Sequence, residues 1–343
     1  MTDSDRERRN PRLRIPGITK GAAPLSQVAK AVLATVILLI LGGVLAPSTV
    51  SPGAITSLAP FFAVLAVAAI GQHLVIQQRG LDLSVAGIMS FAAAVVSAVA
   101  GVGADPTRTL AFIGLALLSG LIVGGINGVL VTYIRVPALV TTIGMNSLML
   151  GLTEYVTRGF AQQVPRSLND FGLTRFFGVP ATVLVMIAIT VVVAFILTRT
   201  VVGRRFIASS VNPSAATAVG IRLELYRVAT YAAAGFCYAA AGILLASIVV
   251  SPTVYAGLPY LLASVAAVVL GGNSIGGGMR GSVVATVIGA LFLSYLNQFV
   301  LALGFGTAYR NIVQAVIIIA SFALPDLARR WRAISSSRHE QNA

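Results

Sequence analysis

ATVLVMIAITVVVAFILT (181–198) runs for 18 residues without a charge, a proline or a glycine. A helix that crosses a bilayer needs about 20 mostly apolar residues. This stretch has no charged face to turn toward water, so its natural solvent is hydrocarbon. The same property recurs along the chain. Of the 343 residues, 57% are hydrophobic and 10% are charged, whereas a soluble domain carries about 25% charged residues. The 34 glycines suit helices that pack closely in lipid. The fold class that follows is all-α, a polytopic helical membrane protein.

Other spans fall on either side of this one. No Lys, Arg, Asp or Glu lies between Lys30 and Arg79, and that stretch is broken by APSTVSPG (46–53), which predicts spans near 28–46 and 54–76. Apolar runs near 84–103, 109–134 and 138–157 come next. The uncharged stretch between Arg227 and Arg280 is divided by SPTVYAGLPY (251–260) into spans near 228–250 and 260–273, followed by spans near 282–302 and 311–325. About ten transmembrane helices put both termini on one side. With that side cytoplasmic, only Arg108, Arg158, Arg166, Arg175 and Arg310 of the 24 cations lie outside, a strong positive-inside asymmetry. The expected organisation is a basic cytoplasmic tail (1–27), a transmembrane domain (28–328) and a cytoplasmic tail (329–343). The first apolar run lacks a small-residue cleavage site and reads as a retained span.

The net charge of +14 does not point to nucleic acid, because the arginines lie between apolar runs and at the ends rather than on one soluble face. Cys237 is the only cysteine, which leaves no internal disulfide and no cysteine metal site. Catalytic signatures are missing as well: there is no HExxH, no GxSxG and no GxxxxGK[ST]. The chain is therefore expected to bind no cofactor and to hydrolyse no ATP by itself. GGNSIGGGMRGS (271–282) has no lysine and no preceding strand, so a flexible break between two membrane helices is favoured over a phosphate cradle.

Ion-coupled transport needs ionisable groups at membrane depth. Asp82, His73 and Glu154 all fall near the ends of spans and read as interfacial, with Asp82 holding a helix break beside Arg79. That counts against a stand-alone secondary carrier, which stays the alternative; a membrane scaffold or receptor is a third reading. Gly80, Asp82, Ser84, Gly271 and Gly272 mark two breaks, each between an apolar run and a small-residue helix. This hints at an internal repeat, as in many transporters; chance likeness of two small-residue helix pairs is the other explanation. Candidates for a solute path are Gln72, His73, Thr141, Thr142, Asn146, Asn273 and Asn297, with helix-to-helix hydrogen bonding as the plainer role.

The segment RTVVGRRFIASSVNPSAATAVGIRLELYR (199–227) is basic and lies on the cytoplasmic side by the charge rule. Ser210, Asn212 or Ser214 suits the cap of a short helix, Pro213 its first turn and Gly220 its end. Such a helix is either a surface for another protein or a plain orienting loop.

Several stretches resemble the permease of the ribose/galactoside/xylose class of ABC importers. GLDLSVAGIMSFAAAVVSA (80–98) is similar to that family's Gly-Ile-Asp-Leu-Ser-Val stretch, and GRRFIASSVNPSAATAVGI (203–221) to its coupling loop. AAVVLGGNSIGGGMRGSVVATVIGALFLSYLNQFVLALG (266–304) resembles its Val-Val-Leu-Gly-Gly segment, and VPALVTTIGMNSLMLGLTEYVTRG (136–159) fits at span 5. Together they cover most of residues 55–325. The resemblance implies a bacterial inner-membrane subunit that pairs with a second permease copy or paralogue. It also implies ATPase subunits carrying the ATP and magnesium, a periplasmic or lipid-anchored solute-binding protein, and surrounding membrane lipid. Docking of the ATPase would fall on Arg204, Arg205, Asn212, Ala215, Ala216, Gly220, Ile221 and Arg222. Pro213 and Ser214 stand where the family often has Glu, so the contact implied here rests on helix shape, small-residue packing and arginines.

Overall fold

The computed structural model describes residues 26–273, 281–306, 308, 309, 311–313, 315, 316 and 319. Most of both expected tails, and the glycine-rich residues 274–280, lie outside the described residues. The helices are α1 (Gln27–Leu45), α2 (Pro52–Gln77), α3 (Val85–Ala94), α4 (Pro106–Thr132), α5 (Ala138–Thr157) and α6 (Arg166–Leu173). They continue with α7 (Ala181–Arg199), α8 (Val201–Val211), α9 (Pro213–Ala218), α10 (Leu223–Ile248), α11 (Tyr260–Leu270) and α12 (Val283–Ala302). Two-residue strands β1 (Arg175–Phe176) and β2 (Val179–Pro180) pair antiparallel between α6 and α7.

Polar residues placed at the turns start the long helices. Ser51 and Asp105 accept the backbone N–H of Ala54 and Arg108, each with proline at the first helical position. That arrangement caps an otherwise unpaired N–H and sets φ for the helix. α1, α2, α4, α7, α10 and α12 are long and apolar enough to cross a membrane. α5 has 20 residues but carries Thr141, Thr142, Asn146 and Glu154. Two expected spans are shorter than anticipated. The one near 84–103 is α3, extended by a π-helical turn over Val95–Val99. The one near 260–273 is α11, whose 11 residues rise about 16 Å, half of the ~30 Å hydrocarbon core. Residues 308, 309, 311–313, 315, 316 and 319 are helical where a last span was expected near 311–325, and the rest of that segment lies outside the described residues. The two helix pairs share an order of helix, break and helix but differ in length: Pro60 sits inside α2, while Pro259 precedes α11.

α10 is the hub, packed on α4, α2 and α3. Its most extensive packing is on α4. Gly120, Gly124 and Gly128 recur every fourth residue and so share one face of α4. A Cβ added at Gly120 would lie 2.4 Å from the Gly235 carbonyl oxygen, one at Gly124 would lie 2.1 Å from the Tyr231 oxygen, and one at Gly128 would lie 2.7 Å from Val228 Cα. The seam is backbone against backbone, the contact that small residues permit in lipid, where apolar burial gives no driving force between helices. Gly242 and Gly71 repeat the device, the first against Met89 of α3 and the second joining α2 to Ala234 and Tyr238 of α10.

Gly124→Leu places a branched side chain where a main-chain oxygen stands. The expected outcome is a loss of about 1–3 kcal/mol or more, read as a lower unfolding midpoint in detergent. Gly125→Leu, one residue away, meets only Ala232 Cβ at 4.0 Å and should be tolerated.

Candidate functional site

The first break, between α2 and α3, is built around a buried carboxylate. Asp82 is fully buried. Its Oδ1 accepts the Ser84 N–H at 2.9 Å and the Ser84 hydroxyl at 2.6 Å, and the Ser84 oxygen in turn accepts Asn127 Nδ2 from α4 at 2.9 Å. Asp82 Oδ2, Asn127 Oδ1 and the Tyr231 hydroxyl, all buried, have no hydrogen-bond partner among the described residues. Gly80 closes the cluster, since a Cβ there would lie 2.7 Å from the Tyr231 oxygen. The break thus has no room for a larger side chain, and Asp82 and Asn127 both hold its turn through Ser84.

One expectation is corrected here. Asp82 does not pair with Arg79, whose guanidinium donates to the Val211 carbonyl at 3.4 Å instead. Asp82 and His73, expected near the ends of spans, are both buried inside the protein. Helix packing around the break shields them, and span boundaries drawn on a linear sequence do not report that. Glu154 is exposed and accepts the Tyr255 hydroxyl. That bond, together with the negative charge of Glu154, pushes the tyrosine pKa above its ordinary value.

The second break gathers another polar group. Asn273 donates through Nδ2 to the Val268 carbonyl at 3.0 Å and to Thr286 Oγ1 at 2.9 Å, and accepts the Ser282 N–H at 3.0 Å. Thr286 Oγ1 also lies 2.9 Å from His73 Nδ1. His73, Asn273 and Thr286 therefore pin α2, the break and α12 together. Gly271 is forced by contact, since a Cβ there would meet the Ala285 oxygen at 2.6 Å; Gly272 is favoured by its φ of +79°.

The remaining candidate path residues are not brought together. Gln72 Oε1 accepts the Tyr238 hydroxyl at 2.8 Å. Thr142 donates to the Ala138 carbonyl on its own helix at 2.9 Å, Thr141 is buried beside it, and Asn146 Oδ1 accepts the Gly87 N–H at 2.7 Å. Asn297 alone faces open space. It lines a cavity of about 800 Å³ together with Ser57, Phe61, Tyr260, Ser294 and Gln298. This cavity lies at the end of the bundle that carries the α1–α2 connection, where Gln298 Nε2 also reaches the Thr49 carbonyl at 3.4 Å.

The basic segment folds into two helices rather than one. α8 holds Arg204 and Arg205. α9 is capped by Asn212, whose Oδ1 accepts the Ala215 N–H at 3.0 Å, and Pro213 takes its first position. α9 ends with Ile221 N donating to the Ala216 carbonyl and Gly220 N to the Thr217 carbonyl, with Gly220 at φ +81°. That pattern is a Schellman closure, for which glycine is the usual residue. Ala216 is buried, whereas Ala215, Gly220 and Arg222 are exposed.

The sequence reading missed how this segment is attached. Gln78, at the end of α2, donates through Nε2 to the Phe206 carbonyl at 2.8 Å and to Ser209 Oγ at 3.1 Å. The Ser210 hydroxyl donates to the Gln77 carbonyl, and Arg79 reaches Val211. α8 is therefore latched to the residues that open the first break. The signal in the sequence was the pair Gln77 and Gln78 closing an apolar run.

A bundle of apolar helices broken at two polar clusters, with a largely apolar cavity carrying a few amides and hydroxyls at one end and a latched basic segment, is compatible with a membrane permease. The chain belongs to the family described as the permease component of the branched-chain amino acid transport system, which it matches over residues 54–322. It is similar to the ribose import permease protein RbsC of Escherichia coli (strain K12), with 32% identity over 295 residues covering 84% of this chain and 91% of the relative. It is also similar to the ribose import permease protein RbsC of Bacillus subtilis (strain 168), with 33% identity over 291 residues covering 84% and 89%. The autoinducer 2 import system permease protein LsrC of Escherichia coli O9:H4 (strain HS) is 30% identical over 292 residues, covering 84% of each chain.

Asp82→Ala removes the acceptor of both Ser84 bonds inside the bundle. A buried polar group left unpaired costs about 1–3 kcal/mol, so the detergent unfolding midpoint should fall. Asp82→Asn keeps an oxygen acceptor and should lie between Asp82→Ala and the wild type.

Proposed function

We propose that this chain is the permease subunit of an ATP-driven importer in the bacterial cytoplasmic membrane. Its solute is a monosaccharide, a polyol or a related sugar-like molecule, and separate ATPase subunits supply the energy. The family and the names of the relatives support the transporter class and the kind of solute. The chain carries no ATPase motif, so it requires such partners, together with a second permease copy or paralogue and a solute-binding protein on the outer side. The charge asymmetry favours ten spans with both termini in the cytoplasm. In that orientation the cavity lined by Asn297 opens outward and the α8–α9 segment faces the ATPase.

The observation that carries this reading is the latch. An ATPase pressing on α9 would move α8, and α8 is hydrogen-bonded to residues 77–79. Those residues lead within five positions to Asp82 and the helix break. A displacement at the cytoplasmic surface would thus reach the first of the two helix breaks. The outer cavity supplies suitable chemistry for a neutral polyol: amides and hydroxyls that bond in both directions, beside Phe61 and Tyr260.

The purified chain, reconstituted with its ATPase and binding protein, should take up a labelled sugar only with ATP. Uptake by the chain alone on a proton gradient would overturn the reading in favour of a secondary carrier. Gln78→Leu removes two bonds of about 1 kcal/mol each. Uptake should fall about five- to thirty-fold while ATP hydrolysis persists. Ala216→Trp or Gly220→Val, which disturb α9, should uncouple transport with the protein still in the membrane. Normal uptake by both variants would remove α9 from the mechanism.

A further inference from the structure

A cleft of about 640 Å³ runs along one side of the bundle between α7, α8 and α10. Its walls are apolar along most of their length: Val193, Ile196 and Leu197 from the last turns of α7, and Leu225, Ala229 and Ala233 from the first turns of α10. Thr230 also lines it, but its hydroxyl is committed to the Tyr226 carbonyl at 2.6 Å. At one end stand Arg205 and Arg222, both exposed. No Asp or Glu is among the described residues that line the cleft, and Glu224, two residues from Arg222, is not part of it.

Such a lining does not suit a sugar, which needs hydrogen-bonding groups along its length. It suits a hydrocarbon chain with an anion at one end. The dimensions agree. Arg222 to Ala233 along α10 rises about 16 Å, half of the ~30 Å hydrocarbon core, the depth of one leaflet. Arg205 in α8 and Arg222 at the start of α10 belong to the end where α7 and α10 meet the basic segment, which would be head-group level if α7 and α10 cross the bilayer.

We propose that this cleft is a binding site for one anionic phospholipid, with an acyl chain between α7 and α10 and its phosphate held by Arg205 and Arg222. The acyl chain gains little from the apolar wall, because it leaves an equally apolar bilayer to reach it. Selectivity therefore comes from the head group, through charge-assisted hydrogen bonds to two arginines. That this leaflet is the cytoplasmic one rests on the orientation proposed above; the site itself does not. The bound lipid would wedge α8 against α7 and α10, and would thereby set the position of the latch on α2.

The test is lipid retention by the full purified chain in detergent, read by native mass spectrometry. Phosphatidylglycerol and phosphatidylcholine with identical chains are compared. The wild type should retain phosphatidylglycerol with a preference of about tenfold or more, as two cations near an anionic head group imply. Arg205→Gln with Arg222→Gln should abolish that preference, and the remote control Arg175→Gln should keep it. Ala229→Trp, which fills the cleft with both arginines intact, should also lower retention. Equal retention of the two lipids by the wild type, or an unchanged preference in the double variant, overturns the proposal. So does inorganic phosphate that displaces the lipid at equal concentration, since the site would then bind a free anion. Because the readout needs no ATPase and no solute, failure of the uptake assays would leave this result standing.

Discussion

The contact of α4 with α10, main chain against main chain, is the constraint on which the rest depends. Three glycines on α4 and Gly235 on α10 let the two axes approach until carbonyl oxygens sit where Cβ atoms would be. In lipid there is no hydrophobic penalty for separating two apolar helices, so close packing must supply the association. The seam also sets the polar chemistry. It carries Asn127, between Gly124 and Gly128, to the Ser84 hydroxyl, and brings Tyr231 against Gly80. The first helix break is held from one side by α4 and crowded from the other by α10. A seam even a few tenths of an ångström wider would loosen both.

The polar groups divide into two kinds by what they are bonded to. His73, Asn273, Thr286, Asp82, Ser84 and Asn127 bond chiefly to one another and to main chain at the breaks. They replace the helical hydrogen bonds that a broken helix forgoes, which is the condition for irregular backbone at membrane depth. Gln77, Gln78 and Arg79 bond outward to α8. The two sets are continuous in the chain, so the cytoplasmic segment and the first break form one mechanical unit. That contiguity is a physical link; energetic coupling along it is what the Gln78→Leu variant measures.

The sequence made the fold class legible because the bilayer imposes a simple rule, a long apolar run for each crossing. The runs at 181–198 and 228–250 needed nothing beyond composition. At α3 and α11 the helices are shorter than the apolar runs that contain them, because the backbone turns where the polar breaks begin. Asn212, Pro213 and Gly220 were readable as cap, first turn and stop, since those roles belong to local backbone geometry. The environments of Asp82 and His73 were not, because burial there comes from α4, α10 and α12, elements 43 to 213 residues away in the hydrogen bonds that define them. Gly120, Gly124 and Gly128 stood in plain view as a four-residue repeat. Their partner on α10 did not, because nothing in a linear sequence says which helix a small-residue face will meet.

The solute path proposed above rests on the same division. A polar group already engaged in holding a break binds a sugar only by giving up a structural bond, and the site would loosen each time it was used. Asn273 is in that position, whereas Gln72 and His73 each keep a buried Nε2 without a hydrogen-bond partner among the described residues. Asn297 and Ser294 hold no break and face a cavity of about 800 Å³, and Ser57 beside them donates to the Gly53 carbonyl of its own helix at 2.8 Å. A path must also release what it binds, so a few amides and hydroxyls beside an aromatic ring serve better than a closed polar cage. The wall that carries Asn297 and Ser294 is therefore the part of this chain at which the proposed polyol path is placed.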